Sequence, residues 1–278
     1  MLADDGIDMP FMGSGEMVEA KIIARSTGTL AGCSAVDHML QIWAGNVQVS
    51  WSHGEGRSVV SDDEIATISG DKDAILALER TILNILGQLS GIATEAKKWS
   101  SIAPGQIACT RKTIWGMMDK WAVHLGGGLT HRLSKTDAKM IKENDLAVMY
   151  PDIEGNGARI SKFLKDIGHS EYGAFLEIEV REDKEAIMAA FTWSERRMID
   201  GCDRLVIMLD NFGPDRCKSV ATELTEMGLR EHVVLEASGG IVLQDLENWR
   251  ECGLDVLSTS AINRGTTPLD LTMIMETN

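Results

Sequence analysis

The sequence predicts an α/β protein with an α+β unit in front of a series of β/α units, and three observations carry that expectation. Up to about residue 70, short apolar runs alternate with turns, as in EAKIIARSTGTLAG, AGNVQVSWSHGEG and RSVVSDDEIATISG. From Asp71 the stretch DKDAILALERTILNILGQLSGIATEAKKWS places apolar residues at helical spacing. Beyond it, strand-like and helical runs alternate almost to the end, the pattern of parallel strands closed as a barrel or open as a doubly wound sheet.

In the front part, Val18, Lys21, Ile22 and Ile23 read as a strand and NVQVSW as another with period-2 alternation, while AVDHMLQIWA between them reads as a helix. The strands there are expected to be mostly antiparallel. The apolar spacing from Ile75 to Leu89 predicts one long helix, with Gly91 as the expected break before a second. Then follow the strand QIACTRKT, a helix through MMDKWAVHL, the loop GGGLTHR, AKMIKEND, the helix NGARISKFLKDIG, the strand AFLEIEV and the helix DKEAIMAAFTWSERRMIDG. RLVIMLDNF, a helix to Met227, HVVLEASGGI, a helix to Cys252 and DVLSTSAI complete the series.

Composition excludes several classes. The 278 residues carry 27 Lys and Arg against 42 Asp and Glu, a net charge of -15, which argues against a nucleic-acid stripe or an anionic membrane surface. No apolar window of about 18 residues is free of charge, and MLADDGIDMP lacks the basic start of a signal peptide, so the expected place is the cytoplasm. The five cysteines are scattered without a CxxC pair and read as reduced structural thiols; no HExxH occurs, so a histidine-based metal site is not expected.

Against that acidic background, basic groups gather at one place. Arg111 and Lys112 follow one apolar strand, His131 and Arg132 follow three consecutive glycines, and Lys142 follows another apolar run. Carboxylates appear at the next strands: Glu177 and Glu179, two apart and so on one face, then Asp210, then Glu236 before Ser238, Gly239 and Gly240. On a β/α barrel all of these would meet at the carboxyl rim, where active sites are built. The cations suit a carboxylate or phosphate, the glycines would let backbone approach a ligand, Glu179 and Asp210 would share a divalent cation such as Mg²⁺, and the Ser-Gly-Gly turn would cradle a phosphate at a helix start. A solvated strand end, a plain Gly-rich turn and a paired surface lysine are the plain readings of the same residues.

The ordered set ERTILNILGQLSGIAT, TRKT, GGGLTHR, MIKEND, LEIEV, MLDNF and LEASGGI resembles the quinolinate phosphoribosyltransferase family, also called nicotinate-nucleotide pyrophosphorylase (carboxylating), over almost the whole chain. The resemblance implies a type II phosphoribosyltransferase-like fold. A small N-terminal α/β sandwich (1–92, with 268–278 packed on it) would sit on a β/α barrel (93–267) in a homodimer whose partner supplies Arg80 to each site. It further implies that Arg111, His131, Arg132 and Lys142 surround a pyridine dicarboxylate, that Lys112 with the Ser238, Gly239 and Gly240 turn faces phosphates, and that Ser260 is phosphate-binding as well. Glu179 and Asp210 would contact the ribose and a Mg²⁺-pyrophosphate, with Lys112, Lys142, Glu179 and Asp210 catalytic. The implied reaction is phosphoribosyl transfer to quinolinate with decarboxylation, in NAD biosynthesis.

The chain departs from the family pattern at GIDMPF, Ile114, Trp115, Thr130, Asp145, Ser260 and Arg264. Transfer to another cyclic acid, a molybdenum-associated relative, and a non-catalytic anion-binding protein on the same fold are the alternatives.

Overall fold

The computed structural model describes residues 15–276, so the departure at GIDMPF lies outside the described residues. The chain divides into two compact units. One gathers the residues up to Lys98, Thr113–Gly128 and those from Ile262 onward; the other holds Trp99–Lys112 and Leu129–Ala261.

The first unit is built on a four-stranded antiparallel sheet. Its strands β1 (Met17–Ala24), β3 (Gln48–Trp51), β5 (Glu64–Asp71) and β12 (Leu271–Glu276) lie in the order β12-β1-β5-β3. Two short strands, β2 (Gly28–Thr29) and β4 (Ser58–Val59), pair separately. The expected helix is α1 (Cys33–Trp43). Period-2 alternation shows in β1, where Ala20, Ile22 and Ala24 are buried while Met17, Glu19 and Lys21 face outward or are half-buried.

The break expected at Gly91 does not occur. Helix α2 (Lys72–Ile102) runs as one piece of 31 residues through Gly87 and Gly91. Glycine is there for space rather than for a turn: a Cβ on Gly91 would lie 2.4 Å from the carbonyl oxygen of Thr267 and 3.0 Å from Pro268 Cα. The C-terminal segment thus crosses the helix at backbone contact. We expect Gly91→Ala to destabilise the protein by about 2 kcal/mol, since a clash with backbone puts overpacking at the upper end, about 3 kcal/mol, less the helix-propensity gain of about 1 kcal/mol. Urea unfolding checks this, and a variant as stable as the parent would refute the account.

The second unit carries six parallel strands, ordered β6-β11-β10-β9-β8-β7. They are β6 (Ile107–Cys109), β7 (Lys139–Ile141), β8 (Leu176–Val180), β9 (Leu205–Asp210), β10 (Val233–Ser238) and β11 (Val256–Thr259). Near-continuous burial along β8, β9 and β10 is what a parallel sheet covered on both faces requires. Beyond β6, Leu129 adds an isolated parallel bridge to Ala108, and no ladder joins β6 to β7 among the described residues. The barrel is therefore an open one.

Helices α3 (Met117–Leu125), α4 (Glu143–Met149), α5 (Asn156–Asp166), α6 (Asp183–Asp200) and α7 (Pro214–Glu226) follow the expected order, α3 grouping with the first unit. The helix expected directly after Ser-Gly-Gly begins later: a 3-10 turn at Leu243–Asp245 leads into α8 (Leu246–Arg250), only five residues long. All five cysteines are buried and free. Among the described residues, no helix is long and apolar enough to cross a membrane.

Candidate functional site

At the carboxyl ends of the six strands lies a cavity of about 190 Å³, lined by Thr110, Arg111, Lys112, His131, Arg132, Met140, Lys142, Glu179, Met208, Asp210, Glu236, Ser238 and Ser258. Strand register explains the convergence. Glu179 and Glu236 flank Met208 on neighbouring strands, and one step toward the rim Ser238 lies between Asp210 and Ser258. A larger hollow of about 680 Å³ in the first unit is lined by Glu16, Glu19, Lys72 and Glu276, without a convergent set of cations.

Of the residues expected from the sequence, Arg111, Lys112, His131, Arg132, Lys142, Glu179, Asp210 and Ser238 line this cavity. Gly239 and Gly240 do not; they line a separate depression with Asn211, Gly213, Pro214 and Trp249. Both take positive φ, 99° and 67°, and a Cβ on Gly239 would meet Asn211 Oδ1 at 2.1 Å, so the turn needs glycine there. Because α8 begins only at Leu246, that turn is not the start of a helix as expected. Ser260 falls just past β11 and is half-buried outside the lining, where Ser258 stands instead.

The glycines of GGGLTHR also serve another purpose than expected. A Cβ on Gly126 would lie 2.4 Å from the carbonyl oxygen of Ala93 and 2.6 Å from Ala96 Cβ, so the first glycine lets this loop pack on α2. Glu177 and Glu236, read as rim residues from the sequence, sit one layer deeper, 0% and 1% exposed.

Arg80 belongs to the first unit. Its guanidinium is exposed on α2, with Glu79 at 3.9 Å, beside a hollow it shares with Leu83, Gln88, Trp115 and Pro268. Trp115 is held by its backbone: the N–H groups of Ile114 and Trp115 donate to the buried Asp119 carboxylate at 2.9 and 3.1 Å, and Asn263 donates to the same group at 3.0 Å. Arg264 is exposed. Asp145 accepts the Lys142 N–H at 3.0 Å and so closes the first turn of α4 behind the Lys142 side chain.

Inside the cavity, charges are paired across strands. Lys142 Nζ forms a close ion pair with Glu179, whose side chain is buried, while the lysine is half-exposed. Asp210 has Arg181 Nε at 3.9 Å, and Arg181 also donates to Glu143 at 3.1 Å. Arg132 is buried; its guanidinium donates to Ala138 O at 3.2 Å and meets Met140 Sδ at 3.3 Å, while its Nε has no partner. Burial and the neighbouring Arg111 charge lower the pKa of Arg132, so both guanidinium groups favour an incoming anion.

His131 lies against this arginine. Its Nε2 is 2.9 Å from Glu236 Oε2 and 3.6 Å from Glu177 Oε2, and Phe175 packs edge-on at 5.7 Å between ring centroids. Burial works against an imidazolium, while the charges of Glu177 and Glu236 pull the pKa of His131 upward by favouring a proton on the nitrogen that faces them. The Arg132 N–H, donating to Nδ1 at 2.8 Å, opposes a second proton because Nδ1 must keep its lone pair to accept that bond. The geometry is that of a neutral ring carrying its proton on Nε2. Burial raises the pKa of Glu177 against the pull of His131, and neither of its oxygens accepts a hydrogen bond.

His131, Glu177 and Glu236 bring three ligand atoms within 4.8 Å of one another. A metal on His131 Nε2 would need the ring proton on Nδ1, where the Arg132 N–H already points, so the ring is oriented against ligation. Glu179 and Asp210 form the better donor set for a hard cation. Both are carboxylates lining one cavity from adjacent strands, the oxygen chemistry that Mg²⁺ takes while keeping waters.

Sequence reasoning left Thr110, Met140, Met208 and Ser258 out of the site and gave Glu236 no role of its own. Four of the lining residues lie two positions before an expected one: Met140 before Lys142, Met208 before Asp210, Glu236 before Ser238 and Ser258 before Ser260. Counting back by two along each strand finds them.

Comparison with known proteins agrees with this architecture. Residues 10–90 match the model of the quinolinate phosphoribosyl transferase N-terminal domain and residues 92–274 that of its C-terminal domain. The chain is 32% identical over 266 residues to a probable nicotinate-nucleotide pyrophosphorylase [carboxylating] of Methanothermobacter thermautotrophicus, covering 93% of this chain and 88% of that one. It is 33% identical to the protein of the same description from Archaeoglobus fulgidus, covering 92% and 93% of the two chains. Among solved structures, the nicotinate-nucleotide pyrophosphorylase from Francisella tularensis superposes with a TM-score of 0.79 at 27% identity, over 95% of this chain and 88% of that one. With both domain models matched in order along one chain, and an open parallel barrel whose rim gathers cations and carboxylates, this protein belongs to the quinolinate phosphoribosyltransferase family.

Proposed function

We propose that this protein transfers phosphoribose from phosphoribosyl pyrophosphate to quinolinate, with loss of CO₂, giving nicotinate mononucleotide and pyrophosphate for NAD biosynthesis in the cytoplasm. The observation that carries the reading is one cavity in which Arg111, Lys112, Arg132 and Lys142 converge with Glu179 and Asp210, in a member of this family. At about 190 Å³ it is small beside the roughly 300–1,000 Å³ of drug-sized sites and suits a single-ring acid, with Met140 and Met208 as apolar walls.

Arg111, Arg132 and Lys142 hold the two carboxylates and so fix the ring nitrogen toward the sugar. That nitrogen bonds to the anomeric carbon as the bond to the pyrophosphate oxygen breaks. Positive charge that develops on the ribose is stabilised by Glu179 and Asp210. Lys112 takes up charge on the leaving group, Ser238 offers a donor to phosphate, and Mg²⁺ bound by Glu179 and Asp210 would neutralise pyrophosphate. The pyridinium then accepts the electron pair left when the bond to the 2-carboxylate breaks; CO₂ departs and the ring carbon takes a proton.

The active form in this reading is a homodimer with Arg80 supplied by the partner chain. A different cyclic acid as acceptor has one observation in its favour, that Trp115 lines the same hollow as Arg80. Incubation of purified protein with phosphoribosyl pyrophosphate, Mg²⁺ and either quinolinate or nicotinate tests both. Nicotinate mononucleotide and CO₂ from quinolinate alone is the expected result. Folded protein that binds phosphoribosyl pyrophosphate but makes no product from quinolinate would overturn it.

A further inference from the structure

We propose that Glu236 is a positioning residue, acting through His131 to hold Arg132 in place for the carboxylate of the acid substrate. This deepens the function proposed above and rests on it for the identity of the acid.

The chain of contacts begins at a corner of the backbone. His131 has φ 53°, a left-handed conformation that side chains rarely adopt without a local hydrogen bond. Here that bond is the Arg132 N–H donating to Nδ1 at 2.8 Å. It requires Nδ1 without a proton, so a neutral ring must carry its proton on Nε2. The acceptor that selects this tautomer is Glu236 Oε2, at 2.9 Å from Nε2; Glu177 Oε2, at 3.6 Å, is too distant for a good hydrogen bond and adds only charge.

On the far side of the corner stands Arg132. Two of its nitrogens are held, one by the carbonyl of Ala138 at 3.2 Å and one by the sulfur of Met140 at 3.3 Å, and Nε is buried without a partner. A guanidinium anchored this way, on a side chain that lines the cavity, is preorganised for an anion. Both nitrogens of His131 are engaged within the protein, so the histidine serves the arginine rather than touching substrate. Glu236 is 1% exposed and belongs to β10, a central strand, so the chain of contacts runs from rigid sheet to ring to corner to cation.

The full-length protein is compared with Glu236→Gln and Glu236→Leu. The tautomer of His131 is read by NMR of ¹⁵N-histidine-labelled protein, quinolinate and phosphoribosyl pyrophosphate dissociation constants by calorimetry, and KM for each substrate by assay. In the parent, His131 should carry its proton on Nε2. Glu236→Gln keeps an oxygen that accepts from Nε2–H, and its amide has beside it Glu177, whose oxygens accept no other hydrogen bond, so tautomer and quinolinate affinity are retained. Glu236→Leu removes the acceptor; the tautomer becomes mixed and quinolinate binding weakens about tenfold, with phosphoribosyl pyrophosphate affinity unchanged.

The proposal falls if the parent ring carries its proton on Nδ1, if Glu236→Gln weakens quinolinate as much as Glu236→Leu, or if both ligands weaken alike. Should Glu236→Leu fail to fold, the parent spectrum and Glu236→Gln decide. If the parent binds no quinolinate, the acid named above is wrong, and the response of the His131 tautomer to Glu236→Leu still decides the present inference.

Discussion

Glu179→Gln should lower kcat by about 10²- to 10³-fold, the loss expected when one preorganised electrostatic group is removed from a developing charge. Binding of the acid should move in the opposite direction or not at all. Glu179 is paired with Lys142 in the free protein, so removing its charge releases an ammonium into a cavity already lined by Arg111 and Arg132. An anionic ligand then meets one cation more. The opposed signs separate catalysis from binding: calorimetry with quinolinate should give equal or tighter affinity, while single-turnover chemistry is slowed. A variant that lost affinity and rate by the same factor would show Glu179 to be a binding group and would remove it from the transition state.

The legibility of this site followed the strand period. Lys142, Glu179, Asp210 and Ser238 were visible because each is polar at the end of an apolar run, and apolar runs in a β/α series become parallel strands with one common rim. Met140, Met208 and Ser258 were not, because a methionine or serine within a strand carries no mark of facing a cavity until register places it there. Glycine misled twice. At Gly91 the sequence suggests a break and at Gly126 a ligand approach, and in both places glycine makes room for backbone far away in sequence, Thr267 and Ala93. Helix propensity is local and such crossings are not, so tertiary packing decided. The buried group of Glu177, Glu236 and His131 stayed hidden for a related reason: its hydrogen-bonded pair, His131 and Glu236, is 105 positions apart, and its charged pair, His131 and Glu177, is 46 apart.

Mixing two inactive variants, Arg80→Ala and Glu179→Gln, should restore about a quarter of the parent activity if each site draws Arg80 from the partner chain. Equal mixing with random reassociation makes about half of all dimers hybrid, and in each hybrid one of the two sites has both residues intact. The same experiment refutes the assignment cleanly. Were Arg80 to act within its own chain, every site in a hybrid would lack one of the two groups, and no activity would return. Arg80 is suited to such a role because its guanidinium is 68% exposed and its nearest charge, on Glu79, is 3.9 Å away, too long for a firm hydrogen bond. A side chain held that loosely contributes little to the stability of its own chain, since exposed ion pairs are worth only about 0–1 kcal/mol. Arg80→Ala should therefore melt with the parent while losing activity as a pure preparation, and a loss of folding in that variant would point to a structural role instead.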